Sequence, residues 1–144
     1  MNKYLAWLPA LMVLGTLMYK PVKEATKAKL VNQSISLAVY KSNDYTAKVY
    51  DNTSAQVHII VEKVNSKGKR TIVWDKTMDA KSLSEYPSVE NAVKQNITVH
   101  NVNQKKEYLV VDYTLIYNSK GTELQMHDAE VVKDTNSNKV DISI

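Results

Sequence analysis

Few side chains in this sequence are spaced to do chemistry together. The clearest group is Asp134-Thr135-Asn136-Ser137-Asn138, followed by Asp141. The D-x-N-x-N opening resembles the start of a calcium loop. Asp134, Asn136, Asn138 and Asp141 could offer oxygens to a hard cation that needs six or more. Lys139 stands where the sharp-turn glycine of an EF-hand belongs. An Asx-rich turn between the last two strands is therefore the preferred reading. Three histidines, His58, His100 and His127, could bind zinc or copper if they converged on one sheet face. Each sits at the parity opposite to the apolar residues of its own segment, so three solvated imidazoles are expected instead.

The third feature is tyrosine. Nine tyrosines and no phenylalanine occur in 144 residues. A tyrosine has an apolar body and a polar tip, which suits contact surfaces on sheets. Tyr113 and Tyr117 fall in the most apolar segment and read as core. Tyr40, Tyr45, Tyr50 and Tyr108 are the candidate binding residues.

Several chemistries are missing. Only Gly15, Gly68 and Gly121 are glycines, which leaves none for a phosphate-cradling loop or a dinucleotide fingerprint. There is no G-x-S-x-G elbow and no H-E-x-x-H helix. The absence of cysteine excludes disulfides, thiol catalysis and zinc ribbons. No pair of carboxylates stands out for glycosidase work. The formal net charge of +4 lies in residues 1–29, where Lys3, Lys20, Lys23, Lys27 and Lys29 face Glu24 alone; from Leu30 onward acids and bases balance. A nucleic-acid-binding domain should carry a basic face of its own, so no such partner is expected. No cofactor is expected either. Arg70 is the only arginine. That usage fits an AT-rich coding sequence, as in low-GC bacteria.

The elements that would position these residues follow from hydropathy. Period-two alternation dominates after residue 30. Gln33, Ile35, Leu37 and Val39 share one parity, as do Val57, Ile59 and Val61. Leu109, Val111, Tyr113, Leu115 and Tyr117 form the most apolar parity and mark a central strand. Tyr45–Tyr50 reads as a further short strand, and Val140, Ile142 and Ile144 as the last. Asn65-Ser66-Lys67-Gly68 reads as a type I hairpin turn closed by a G1 bulge. The same four residues recur at 118–121, which points to convergent turn chemistry rather than duplication. Leu83, Tyr86, Val89 and Val93 recur at helical spacing and predict one short helix over Ser88–Gln95. The expected fold is all-β and mainly antiparallel: an Ig-like β-sandwich of about eight strands with one short crossover helix, preceded by an N-terminal hydrophobic helix.

That N-terminal helix comes from Tyr4 to Tyr19, an uncharged apolar run after Lys3. The pattern is that of a secretory signal or anchor. Residues 1–19 thus read as signal peptide or membrane anchor, 20–29 as a lysine-rich tether, and 30–144 as the sandwich domain. The lysines after the run would by themselves favour a reverse-oriented, cytoplasmic anchor. The leading expectation is a non-enzymatic exported or envelope-tethered module that binds a protein or glycan partner and meets the membrane only through residues 1–19. The alternatives are an assembly subunit, in which Val31–Val39 adds to a neighbour's sheet to give a homo-oligomer, and a small hydrolase with a scattered site.

Changing Leu11 and Leu14 together to Arg should strand the protein inside the cell, measured by fractionation. Normal export of the double variant would remove the signal from this segment.

Overall fold

A computed structural model describes residues 29–132 and 138–144. The expected signal or anchor, most of the tether, and Asp134 and Asn136 lie outside the described residues. Eight strands form: β1 (Leu30–Tyr40), β2 (Thr53–Asn65), β3 (Arg70–Thr77), β4 (Lys81–Ser82), β5 (Val93–Asn103), β6 (Glu107–Ser119), β7 (Thr122–Val132) and β8 (Asn138–Ser143). They make a β-sandwich. Sheet A has the order β5-β1-β8, and sheet B the order β3-β2-β6-β7 with β4 paired to β2. Every pairing is antiparallel except β1 with β8, which run parallel.

The alternating parities meet between the sheets. Ile35, Leu37 and Val39 of β1 pack with Val57, Ile59 and Val61 of β2, Leu109, Val111 and Leu115 of β6, and Val140 and Ile142 of β8. Gln33 shares the inward parity of β1 and is the one buried polar residue described; its Oε1 has no hydrogen-bond partner. Such an orphaned acceptor costs about 1–3 kcal/mol. Trp74, on the edge strand β3, is half-buried and packs against the core.

Two elements differ from expectation. Residues 41–52 hold no strand at Tyr45–Tyr50, only a 3-10 turn at Lys48–Tyr50. Left-handed backbone at Tyr45 (φ 53°) and Asn52 (φ 63°) interrupts extension there. No helix forms over Ser88–Gln95 either; a 3-10 turn at Val89–Asn91 leads straight into β5. The helical spacing came from a different source. A separate 3-10 turn at Leu83–Glu85 puts Leu83 and Tyr86 on one buried side, because 3-10 geometry eclipses residues three apart. The Ser82 N–H donates to Glu85 Oε2 at 3.1 Å, and Pro87 holds Tyr86 extended (φ −66°, ψ 141°). Val89 and Val93 are exposed and belong to no helical face.

The repeated Asn-Ser-Lys-Gly makes two different turns. At 65–68 the Gly68 N–H donates to Asn65 O at 2.9 Å and the Asn65 N–H to Lys69 O at 3.0 Å, with only Gly68 left-handed (φ 78°). That is the expected type I turn with a G1 bulge. The Asn65 side chain anchors it, accepting from the N–H groups of Lys67 and Lys69. At 118–121 Ser119 pairs directly with Thr122, and Lys120 (φ 52°) and Gly121 (φ 80°) are both left-handed. This is a two-residue type I′ loop. The β6–β7 register decides the difference, since it draws Asn118 and Ser119 into the ladder opposite Glu123 and Thr122.

A lysine in the left-handed region costs roughly 1–2 kcal/mol that asparagine largely avoids. Lys120→Asn should therefore stabilise the fold by up to about 1 kcal/mol, whereas Lys67→Asn should leave it unchanged. Urea midpoints compare the two; equal shifts would mean that the two turns share one geometry.

Candidate binding groove

Among the described residues sheet A is three strands wide and the main path of sheet B four, so their two inner faces do not cover each other completely. The uncovered part is β7. Register places Leu124 opposite Tyr117, Met126 opposite Leu115, Asp128 opposite Tyr113, Glu130 opposite Val111 and Val132 opposite Leu109, all on the parity that faces inward on β6. Val132 is 4% exposed and closes the core, but Leu124 is 60% and Met126 54% exposed. Neighbouring apolar side chains left in water on an inward-facing row are unusual for a small domain. Fully covering either would gain about 1.5–3 kcal/mol.

The 41–52 connection supplies a second wall. Tyr45 and Tyr50 stack edge-to-face, with ring centroids 5.0 Å apart and planes at 83°. Together with Leu83, Tyr117, Leu124 and Met126 they bound an apolar groove of about 430 Å³, whose lining also includes Thr53, Ser119 and Thr122. Tyr45 is held in its left-handed backbone by its hydroxyl, which donates to the main-chain oxygen of Ile144. The Ser42 N–H and hydroxyl donate to the same oxygen, both at 2.9 Å. That wall is thus fastened to the end of β8 rather than hanging free.

Burial pushes the Tyr117 pKa up, with Tyr45 adding to the effect, and burial likewise raises Tyr86, whose hydroxyl donates to Ala55 O at 2.8 Å. Two hydroxyls of the lining are spent on each other, Thr53 Oγ1 donating to Ser119 Oγ at 3.0 Å. Such a lining offers shape and apolar contact with few polar partners. Met126 also lines a smaller hollow of about 290 Å³ with Tyr113, Leu115, His127, Asp128, Asp141 and Ser143. The apolar groove therefore runs on into an acidic stretch along β7.

Of the four tyrosines read as contact residues, the fold brings two together. Tyr45 and Tyr50 share the groove. Tyr40 has the outward parity of β1 in sheet A, and Tyr108 pairs with Val64 at the far end of sheet B on its outer face. Tyr117, read as core, is half-buried and lines the groove. Leu124 and Met126 could have been found by continuing the alternation past Gly121, where inward parity and exposure part company.

The other candidates do not assemble. Asn138 opens β8, and Asp141 lies three residues on, on the other side of the pleat, with Lys139 Nζ 2.9 Å from its carboxylate. His58 and His127 flank Thr114 on the outer face of sheet B, while His100 is in sheet A. No group of three or more His, Asp or Glu among the described residues could hold a metal ion. His58 contacts Asp75 at 2.9 Å. His127 uses the same Nδ1 for Asp112 (3.3 Å) and Thr114 (3.4 Å), so its ring cannot relay a proton between them. No family model, curated protein or solved structure matches this chain.

Tyr113 gives a pH test of the β7 edge. Its hydroxyl donates to Asp128 Oδ2 at 3.1 Å; burial, that bond and the charges of Asp128 and Glu130 push its pKa from 10.0 up to about 12. The neutral phenol is favoured in the folded state. Its contribution is complete below pH 10 and is lost as pH rises from 10 to about 12. Tyr113→Phe should flatten part of that alkaline loss, with Tyr86 and Tyr117 retaining the rest. Urea midpoints on either side of pH 10 measure the slope, and an unchanged slope would remove Tyr113 from it.

Proposed function

We propose that this chain is a non-enzymatic, exported or envelope-tethered module that binds an apolar segment of a protein partner in the Tyr45–Tyr50–Leu124–Met126 groove. The observation that carries the reading is the exposed inner row of β7, facing two stacked tyrosines of which Tyr45 is fastened to Ile144. Binding in such a groove rests on apolar burial and shape more than on charge steering. A glycan would ask for several converging polar groups, and this lining has few, so a protein segment is the better fit. The uncharged run from Tyr4 to Tyr19 supports export or tethering.

Strand order supports an immunoglobulin-like variant of the sandwich. In that fold strands B and E pair in one sheet, and C, F and G lie in the other, with C′ beside C in variable-type domains. β1 and β5 match B and E, and β3-β2-β6-β7 matches C′-C-F-G. β8 occupies the place of strand A beside β1, but it runs parallel and comes from the other end of the chain.

A photo-cross-linking residue at position 124 of the full chain should trap a partner, and one at 108 should not. The yield should change little between about 50 and 300 mM salt, where a charge-driven site would weaken steeply. Tyr50→Ala should weaken binding by about 2 kcal/mol, while Tyr40→Ala and Tyr108→Ala bind as the parent does. Equal trapping from both positions, or a steep salt dependence, would overturn the groove as the binding site.

A further inference from the structure

We infer that the partner segment binds as an added strand on the outer edge of β7, and that it carries basic residues followed by apolar ones. This rests on the groove reading and specifies its ligand.

Three observations converge on that edge. β7 is an end strand of sheet B, eleven residues long, and no further strand lies along its outer side among the described residues. It pairs with β6 in unbroken register and contains no proline or glycine. The opposite edge of the same sheet is blunted: β3 bulges against β2 between Val61 and Glu62, and it carries Arg70 and Lys76. Bulges and charged side chains are the usual protection of an edge against a further strand. β7 has no bulge, and the charges on its inward row, Asp128 and Glu130, are both acidic, so they repel an acidic strand but pair with a basic one. An exposed, regular edge next to an apolar groove is the geometry of strand addition, in which main-chain bonds give affinity and alternate side chains give specificity.

The inward row of β7 then spells the partner. It reads Leu124, Met126, Asp128, Glu130, apolar at one end and acidic at the other. An added antiparallel strand runs past Glu130 first. Its inward side chains must therefore be basic, basic, apolar, apolar, separated by residues that face the other side of the sheet. The first two would meet Glu130 and Asp128; the last two would enter the groove beside Tyr45 and Tyr50. A second copy of β7 is a poor occupant. Its Glu123, Asp128 and Glu130 would bring like charges onto an acidic edge. Nor is β1 a spare strand to donate, since it is paired on both sides within its own sheet.

The test uses the full chain and a synthetic peptide reading lysine–threonine–lysine–threonine–leucine–threonine–leucine. It should bind saturably and protect β7 amides from hydrogen exchange. Methylating the peptide's amide nitrogens at alternate positions should weaken it about tenfold, the loss of one or two hydrogen bonds. Glutamate in place of lysine should abolish binding, and Glu130→Lys should partly restore it. No peptide binding, or self-association that protects β7 instead, overturns the inference. If the methylated peptide binds as tightly as the parent while Leu124→Asp still abolishes binding, strand addition falls and the groove stands. If Leu124→Asp has no effect, the groove reading itself falls.

Discussion

β1 is hydrogen-bonded on both sides, antiparallel to β5 and parallel to β8, and without it sheet A would separate into two single strands. An isolated strand cannot bury an apolar face, so the second layer of the sandwich exists only through this pairing. The requirement explains the burial of β1, where Leu37, Ala38 and Val39 are all withdrawn from water although two parities are involved. It also fixes the length of cover. β8 lies along β1 only from Ile35 to Tyr40, and among the described residues sheet A has no strand beyond β8 to lay over β7.

The groove follows from that shortage. Sheet B keeps a fourth strand because β6 and β7 are joined by a two-residue loop, whose antiparallel register needs nothing from sheet A. The inner row of β7 then projects past the roof. Tyr45 and Tyr50 partly close the gap from the 41–52 connection, at the expense of a left-handed tyrosine, and Ile144 supplies the acceptor that fastens it. The order of cause is thus β1 pairing, sheet width, exposed row, tyrosine wall. The same overhang leaves β7 as the regular edge of its sheet, while the bulged and basic β3 lies at the other side.

Charge plays its part at the surface of sheet B. Arg70 reaches Glu62 at 2.6 Å and stands 3.9 Å from Asp112, and His127 approaches Asp112 from the other side. These contacts are partly exposed, so each adds little to stability. They nevertheless pair the outer-face histidines and acids with neighbours across the strands, and no group of three or more such residues among the described residues could hold a metal ion.

The alternation of Ile35-Leu37-Val39, Val57-Ile59-Val61 and Leu109-Val111-Leu115 by itself determined an all-β chain with two buried faces, because a pleat has only two sides and apolar residues crowd one of them. The lack of cysteine excluded disulfides and thiol chemistry in this sequence just as directly. The sequence could not decide which strands are neighbours. That choice put Tyr45 and Tyr50 against Leu124 and Met126, sent Tyr40 and Tyr108 to other faces, and placed His100 in a different sheet from His58 and His127. Nor could local residue types decide the turn geometry of Asn-Ser-Lys-Gly, which forms a type I turn with a bulge at 65–68 and a type I′ loop at 118–121. Turn type there follows strand register, and register is set by packing against residues far away in the chain. The helical spacing of Leu83, Tyr86, Val89 and Val93 misled for the same reason: periodicity is a local signal, and the pairing of Val93 with Val39 is not.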